Sequence, residues 1–379
     1  MSSPRTAFIL SLLLFSALSG CGRPSESAPA ALSPAALQAV VPKPGVARKD
    51  LARAIDGLFS DTKAGETRAL LVMSGGRVVA ERYGAGYDAN TRLGGWSMSK
   101  SVTGVLIGQL VSDGRLRMDE TPPVPAWQRS GDPRGAVTLR QLLQMRSGLR
   151  HTEMASDIGR PIYQSDEVRM LFLDGRDNMA AYAEAQPMET AAGREWEYSS
   201  ATSVILADLA ARALTDSPDP ETRRAAVAEY MRTRLFEPLG MKSMTAEFDA
   251  SGTMVGSSLI HATARDWGKF GEFLRNGGAV QGAQVLPRGW IEFMTTPSPR
   301  NPGYGAQLWL NRPQSDGKVR LLPGRAPASL FAAVGHLGQY VLVSPKQGLT
   351  LVRLGHSNDD QRQRVLDHLA EIVGLFPKR

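Results

Sequence analysis

Strand-like runs stand at both ends of this chain with a long helical stretch between them, and that arrangement narrows the folds open to it. Arg68 to Ser74 and Arg77 to Tyr83 are rich in β-formers and separated by Gly75-Gly76, a two-residue hairpin signal. Strand signals return at Tyr304 to Leu310, Leu330 to Val334, Gln339 to Val343 and Leu349 to Leu354. Between them the apolar period is helical over Val102 to Val111, Leu139 to Met145, Val204 to Leu214, Arg224 to Leu235 and Ala264 to Leu274. Further helices are expected from Arg48 to Phe59 and from Gln361 to Phe376. The pattern predicts an α/β (α+β) fold: one sheet built from both chain ends, flanked by helices, with a mainly helical insertion beside it. The expected division is a sheet domain of residues 47–96 and 296–379 and a helical domain of residues 97–295. A cleft between the two is a natural place for a site.

The first twenty residues follow other rules. Arg5 and the apolar run from Ala7 to Leu18 have the form of a signal peptide, too short to span a bilayer as a stable helix. Leu18-Ser19-Gly20-Cys21 follows, and Cys21 is the only cysteine. It is similar to a bacterial lipobox, which implies acylation of Cys21, a lipid anchor in the membrane and a periplasmic enzyme. Gly22 after the cysteine points to the outer membrane. Residues 21–46, rich in Pro, Ser and Ala, are expected to be a flexible tether. A net charge of +7 without any block of like charges argues against a nucleic-acid partner.

The chemistry is sought in the pattern Ser-x-x-Lys, which places hydroxyl and amine one turn apart on one helix face. Burial of such a lysine would lower its pKa, and a neutral amine could take the serine proton during attack on a carbonyl. The pattern occurs at Ser60-Lys63, Ser97-Lys100 and Ser315-Lys318. Ser60 falls where a helix ends and Ser315 in an Asp-Gly turn. Ser97 alone opens an apolar helix, carrying Val102, Val105, Leu106 and Leu110. A simple N-cap role for Ser97 is the plain alternative. No Gly-x-Ser-x-Gly elbow and no His-Glu-x-x-His metal motif occurs in the sequence, and neither metal nor organic cofactor is expected.

Wider blocks sharpen this. Trp96 to Thr103, Leu139 to Leu143 with Ser147-Gly148-Leu149, Gly193 to Ser200, Phe236 to Met241 and Thr263 to Gly278 together resemble the class C β-lactamase-related serine hydrolases, in order and spacing, from about Arg48 to Leu375. The resemblance implies the β-lactamase/transpeptidase fold, with Ser97 as nucleophile, Lys100 as base and Tyr198 as proton-handling partner. The family's Tyr-x-Asn element reads Tyr198-Ser199-Ser200 here, so Ser200 stands where a substrate-contacting amide would be. Its third element reads His336-Leu337-Gly338, which resembles the nylon-oligomer hydrolase and esterase branches more than true β-lactamases, with His336 and Gly338 expected at the substrate. The backbone N–H of Gln339 is expected to join that of Ser97 as the oxyanion hole. The implied activity is hydrolysis of small esters or amides through an acyl-enzyme. A D-Ala-D-Ala carboxypeptidase, D-aminopeptidase or β-lactamase is the alternative with the same chemistry, and a non-catalytic ligand-binding envelope lipoprotein is the alternative without it.

Overall fold

The computed structural model describes residues 32–154 and 159–378; the expected signal peptide and Cys21 lie outside them. Six strands form one antiparallel sheet: β1 Glu66–Ser74, β2 Arg77–Tyr83, β3 Trp309–Leu310, β4 Phe331–Gly335, β5 Gln339–Ser344 and β6 Leu349–His356, in the order β2-β1-β6-β5-β4-β3. The two chain ends meet where β1 pairs with β6, from Glu66 opposite His356 to Ser74 opposite Leu349. Gly75 and Gly76, with φ of 58° and 81°, make the left-handed turn that closes the β1–β2 hairpin. Only Trp309 and Leu310 of the expected Tyr304-to-Leu310 strand join the sheet; Tyr304 makes an isolated bridge to Trp309.

Successive residues of a strand face opposite sides, and β1 separates its apolar side chains accordingly. Leu70 and Val72 face one side, with Leu51, Ile55 and Leu58 of α1 (Arg48–Ser60) and Val365, Leu369 and Ile372 of α5 (Asp359–Gly374). Ala69, Leu71 and Met73 face the other, where α2 (Ser99–Ser112), α3 (Ser200–Leu214) and α4 (Ala264–Arg275) are buried. The helix α4 lies directly on the strands because two positions on its sheet-facing side, Gly268 and Gly271, carry no side chain. A Cβ at Gly268 would come within 2.4 Å of Leu71 Cδ2, and one at Gly271 within 2.5 Å of Thr350 Cγ2. This corrects the expected division at residue 295, since α4 belongs to the layers of the sheet.

The expected tether also changes at its C-terminal end. Pro34–Gln38 is a short helix capped by Ser33, with Ala36 fully buried. Val40 bridges Ala80, and Ser33 Oγ donates to Asp56 at 3.0 Å. Ala36 and Val40 gain burial that a solvated linker would forgo. Among the described residues no helix is long and apolar enough to cross a membrane.

Candidate active site

The segment that carries Ser97 is bent before the helix begins. Trp96 has φ of +48°, a left-handed conformation unusual for a tryptophan, and Trp96–Met98 forms one tight turn leading into α2. No side chain of Gly95 or Met98 caps these turns, and Ser97 Oγ is not engaged as a cap. It receives a hydrogen bond from Lys100 Nζ at 3.0 Å. Ser97 is half-buried, whereas Lys100 is 1% exposed, so the hydroxyl is reachable and the amine is not. Ser60, Lys63, Ser315 and Lys318 are all exposed. Context therefore separates the three copies of the pattern as the helix argument expects.

Around Lys100 the structure assembles more than the sequence suggests. Its Nζ also donates to Ser200 Oγ at 2.8 Å and to Ser257 O at 3.1 Å, and it lies 4.8 Å from the centre of the Tyr198 ring. Glu153 Oε1 is 3.8 Å away. Burial works against the Lys100 charge, but the Tyr198, Glu153 and Glu167 charges outweigh it and raise its pKa above the ordinary lysine value. This overturns the expected lowering: burial alone would neutralise the amine, but this pocket also holds carboxylates. The same burial pushes the Tyr198 phenol up, against the pull of the Lys100 charge and of hydrogen bonds to Ser97 and Lys100. Lysine and tyrosine are each shifted toward holding a proton, and so close a pair titrates as a coupled unit.

Tyr198 is wedged by aromatic neighbours. Its ring centre lies 5.2 Å from that of Trp309, 5.9 Å from Tyr304 and 6.4 Å from Trp196. Tyr304 and Trp309 reach this wall because the chain folds back before β3 instead of running on as a strand.

Three expected substrate-binding or oxyanion residues sit differently. Ser200 is fully buried, accepting from Lys100 and donating to Glu153 Oε1 at 2.7 Å, so its hydroxyl is already engaged and does not face substrate. Gly338, at φ 80°, is the turn residue of the β4–β5 hairpin, and its carbonyl accepts from Arg353 Nη1 at 2.8 Å. A Cβ there would meet that guanidinium at 2.6 Å, so its glycine serves the turn.

Gln339 is the third. Asn311 N donates to Leu330 O, and backbone groups alternate sides along a strand. Even-numbered residues of β4 therefore face β3 and odd-numbered ones face β5. Gln339 pairs in register with Gly335, an odd-numbered residue, which directs its N–H back into the hairpin. Its side chain donates to His336 O at 3.0 Å and to Gly355 O at 2.7 Å, bracing the turn. The peptide packed against the segment before Ser97 is instead that of Gly335 and His336. A Cβ on Gly335 would fall 2.1 Å from Gly95 O, and the His336 ring stands edge-on to Trp96 at 5.5 Å. Partial burial, with the His356 and Arg362 charges, lowers the His336 pKa, so it offers no fixed positive charge at neutral pH.

Glu153, Glu167 and His151 are the residues that sequence reasoning missed. Glu153 Oε2 accepts from His151 Nε2 and from Ser200 N, both at 2.7 Å. Burial, opposed by the Lys100 charge and by bonds from His151 and Ser200, leaves Glu153 ionised with a pKa of about 2. Burial and the Glu153 charge raise Glu167 to about 8. His151 is 4% exposed, a buried partner of Glu153. No spacing rule links residues 151, 153 and 167 to residue 100; only the fold brings them together. Among the described residues no group of three or more His, Cys, Asp or Glu side chains is placed to hold a metal ion.

Comparison with known proteins agrees with this architecture. The 6-aminohexanoate-dimer hydrolase of Paenarthrobacter ureafaciens is 27% identical over 232 residues, 60% of this chain and 56% of that protein. A Bacillus anthracis structure provisionally named as a 6-aminohexanoate-dimer hydrolase superposes with a TM-score of 0.65 at 20% identity, covering 86% of this chain and 83% of its own. The structure of a family VIII carboxylesterase gives a TM-score of 0.60 at 15% identity, covering 85% and 97%. At such identities the two structures speak for the fold. The family profile described as Beta-lactamase matches residues 55–374. The bent turn at Ser97, the buried lysine and the two-ended antiparallel sheet are thus placed in a known lineage: the chain belongs to the β-lactamase family.

Proposed function

We propose that the chain is a serine hydrolase that forms an acyl-enzyme on Ser97 and cleaves small esters or amides. The observation that carries this reading is the 3.0 Å contact between a reachable Ser97 hydroxyl and a buried Lys100 amine, with Tyr198 against both. In the reactive minority state the Lys100–Tyr198 pair takes the Ser97 proton as Oγ bonds to the substrate carbonyl carbon. The N–H of Ser97 and, by the strand parity above, that of His336 hold the resulting oxyanion. The pair returns the proton to the leaving oxygen or nitrogen as its bond to carbon breaks, and water then repeats the sequence to release the acid. The named relatives, an amide hydrolase and a carboxylesterase, support this substrate range.

A β-lactam or D-Ala-D-Ala end is held by a cation at its carboxylate and an amide donor at its side chain. The lowered pKa of His336 and the engaged hydroxyl of Ser200 supply neither. Losing one charge-assisted hydrogen bond costs about 1.5–3 kcal/mol, roughly ten- to hundredfold in specificity constant. The expected result is measurable hydrolysis of a p-nitrophenyl short-chain ester and little turnover of nitrocefin. Efficient nitrocefin turnover without esterase activity would overturn the substrate assignment in favour of a cell-wall enzyme. His336→Lys is the variant expected to raise nitrocefin turnover. Ser200→Asn is unsuited to that purpose, because a larger side chain would break the Lys100–Ser200–Glu153 contacts.

We also propose that the enzyme is periplasmic and anchored through an acylated Cys21. Cys21→Ser is expected to accumulate as unprocessed precursor and to leave the membrane fraction. A variant that remains processed and membrane-bound would rule this anchor out.

A further inference from the structure

Behind Lys100 lies a short relay of polar groups whose hydrogen-bond directions are fixed by what each atom can do. Ser257 O, 3.1 Å from Nζ, has no proton and only accepts. Ser200 Oγ has one proton and two carboxylates nearby, Glu153 Oε1 at 2.7 Å and Glu167 Oε1 at 3.4 Å. The shorter contact takes the proton, which leaves the Ser200 oxygen to accept from Lys100 at 2.8 Å. Besides its bond to Cε, the lysine nitrogen has three directions. Two of them are thereby assigned to N–H donation. The third faces Ser97 Oγ at 3.0 Å, with the Tyr198 hydroxyl beside it, carrying an N–H in the ammonium and the lone pair in the neutral amine.

Glu153 is held in place from several sides. His151 Nε2 and the Ser200 backbone N–H both donate to its Oε2, while Oε1 takes the Ser200 hydroxyl. It lies 3.8 Å from the lysine nitrogen, close enough to act on it by charge as well as through the serine.

We propose that Glu153, acting through Ser200, is a positioning residue that aims the Lys100 lone pair at Ser97 and sets the pH at which that lone pair becomes available. This rests on Ser97 being the acylated residue. The other ionisable groups facing the amine are Tyr198 and Glu167. His151, Glu197 and Tyr304 surround Glu153 or Tyr198 in turn. Lys100 is the only titratable side chain on α2. An anion beside an ammonium favours the charged form, so Glu153 delays loss of the Lys100 proton. Replacing it with a neutral amide must move that loss to lower pH, and breaking the serine link must leave the lone pair less well aimed.

The experiment measures the rate of Ser97 labelling by a fluorophosphonate against pH in the full chain and in Glu153→Gln and Ser200→Ala, with folding checked by thermal unfolding. For Glu153→Gln the midpoint of the rise with pH is expected to fall by about one unit or more. For Ser200→Ala, which keeps the carboxylate, the high-pH plateau is expected to fall about tenfold. A residue with a merely structural role would lower stability without moving the midpoint. A folded Glu153→Gln with the wild-type midpoint, or a folded Ser200→Ala with the wild-type plateau, overturns the proposal. If Glu153→Gln does not fold, the Ser200→Ala plateau decides alone. Absence of label on Ser97 in the unaltered protein is a separate failure, that of the acyl-enzyme reading itself.

Discussion

Lys100→Arg is expected to retain a positive charge in the pocket and still lose acylation by about a hundredfold to ten-thousandfold, the usual contribution of a positioned base. Arginine holds its proton at any pH a protein survives, so the variant cannot take the Ser97 proton. Lys100 is 1% exposed with oxygens of Ser97, Ser200 and Ser257 around its nitrogen, leaving little room for the longer fork. Lys100→Met separates the two causes, since it is close to lysine in size and has no charge. Both variants are expected to be equally slow in pre-steady-state acylation by a p-nitrophenyl ester. An arginine variant within a few-fold of the unaltered enzyme would mean that charge suffices and that the base lies elsewhere.

Tyr198→Phe removes one oxygen and leaves the ring in its aromatic wall against Trp309, Tyr304 and Trp196. Packing is therefore retained, and the expected loss is chemical: about a hundredfold or more in kcat, with little change in thermal stability. Because the phenol's proposed role covers both leaving-group protonation and attack by water, the deficit should be larger for an amide than for a p-nitrophenyl ester, whose leaving group departs without a proton. Intact-mass measurement during turnover reads the acyl-enzyme directly. An equal deficit on the two substrates would assign Tyr198 to the first proton transfer alone, and no deficit would remove it from the mechanism.

The parts of this site that were legible in the sequence are local ones. Ser97 and Lys100 lie three residues apart on one face of an apolar segment, and that periodicity needs no tertiary information. The Gly75-Gly76 turn, the strands on either side of it and the helix from Ser99 share this property. What was misread depends on distant partners. Ser200 reads as a shortened substrate contact until Glu153 and Lys100 are seen on either side of it. Gln339 reads as an oxyanion donor until strand parity sends its N–H toward Gly335. The Lys100 pKa is set by Tyr198, Glu153 and Glu167 as well as by burial, and a single sequence does not reveal which carboxylates share a pocket. The helical period of Ala264 to Leu274 is legible in the sequence, but the reason for its glycines at 268 and 271 appears only with the sheet beneath them in view.

All of this depends on one covalent bond. Incubation of the folded protein with a fluorophosphonate, followed by proteolysis and mass mapping, locates the serine that attacks. The account predicts a single adduct on Ser97, formed faster as the pH rises and absent from Ser97→Ala. An adduct on Ser60 or Ser315, or no adduct on protein that is folded by circular dichroism, would contradict it.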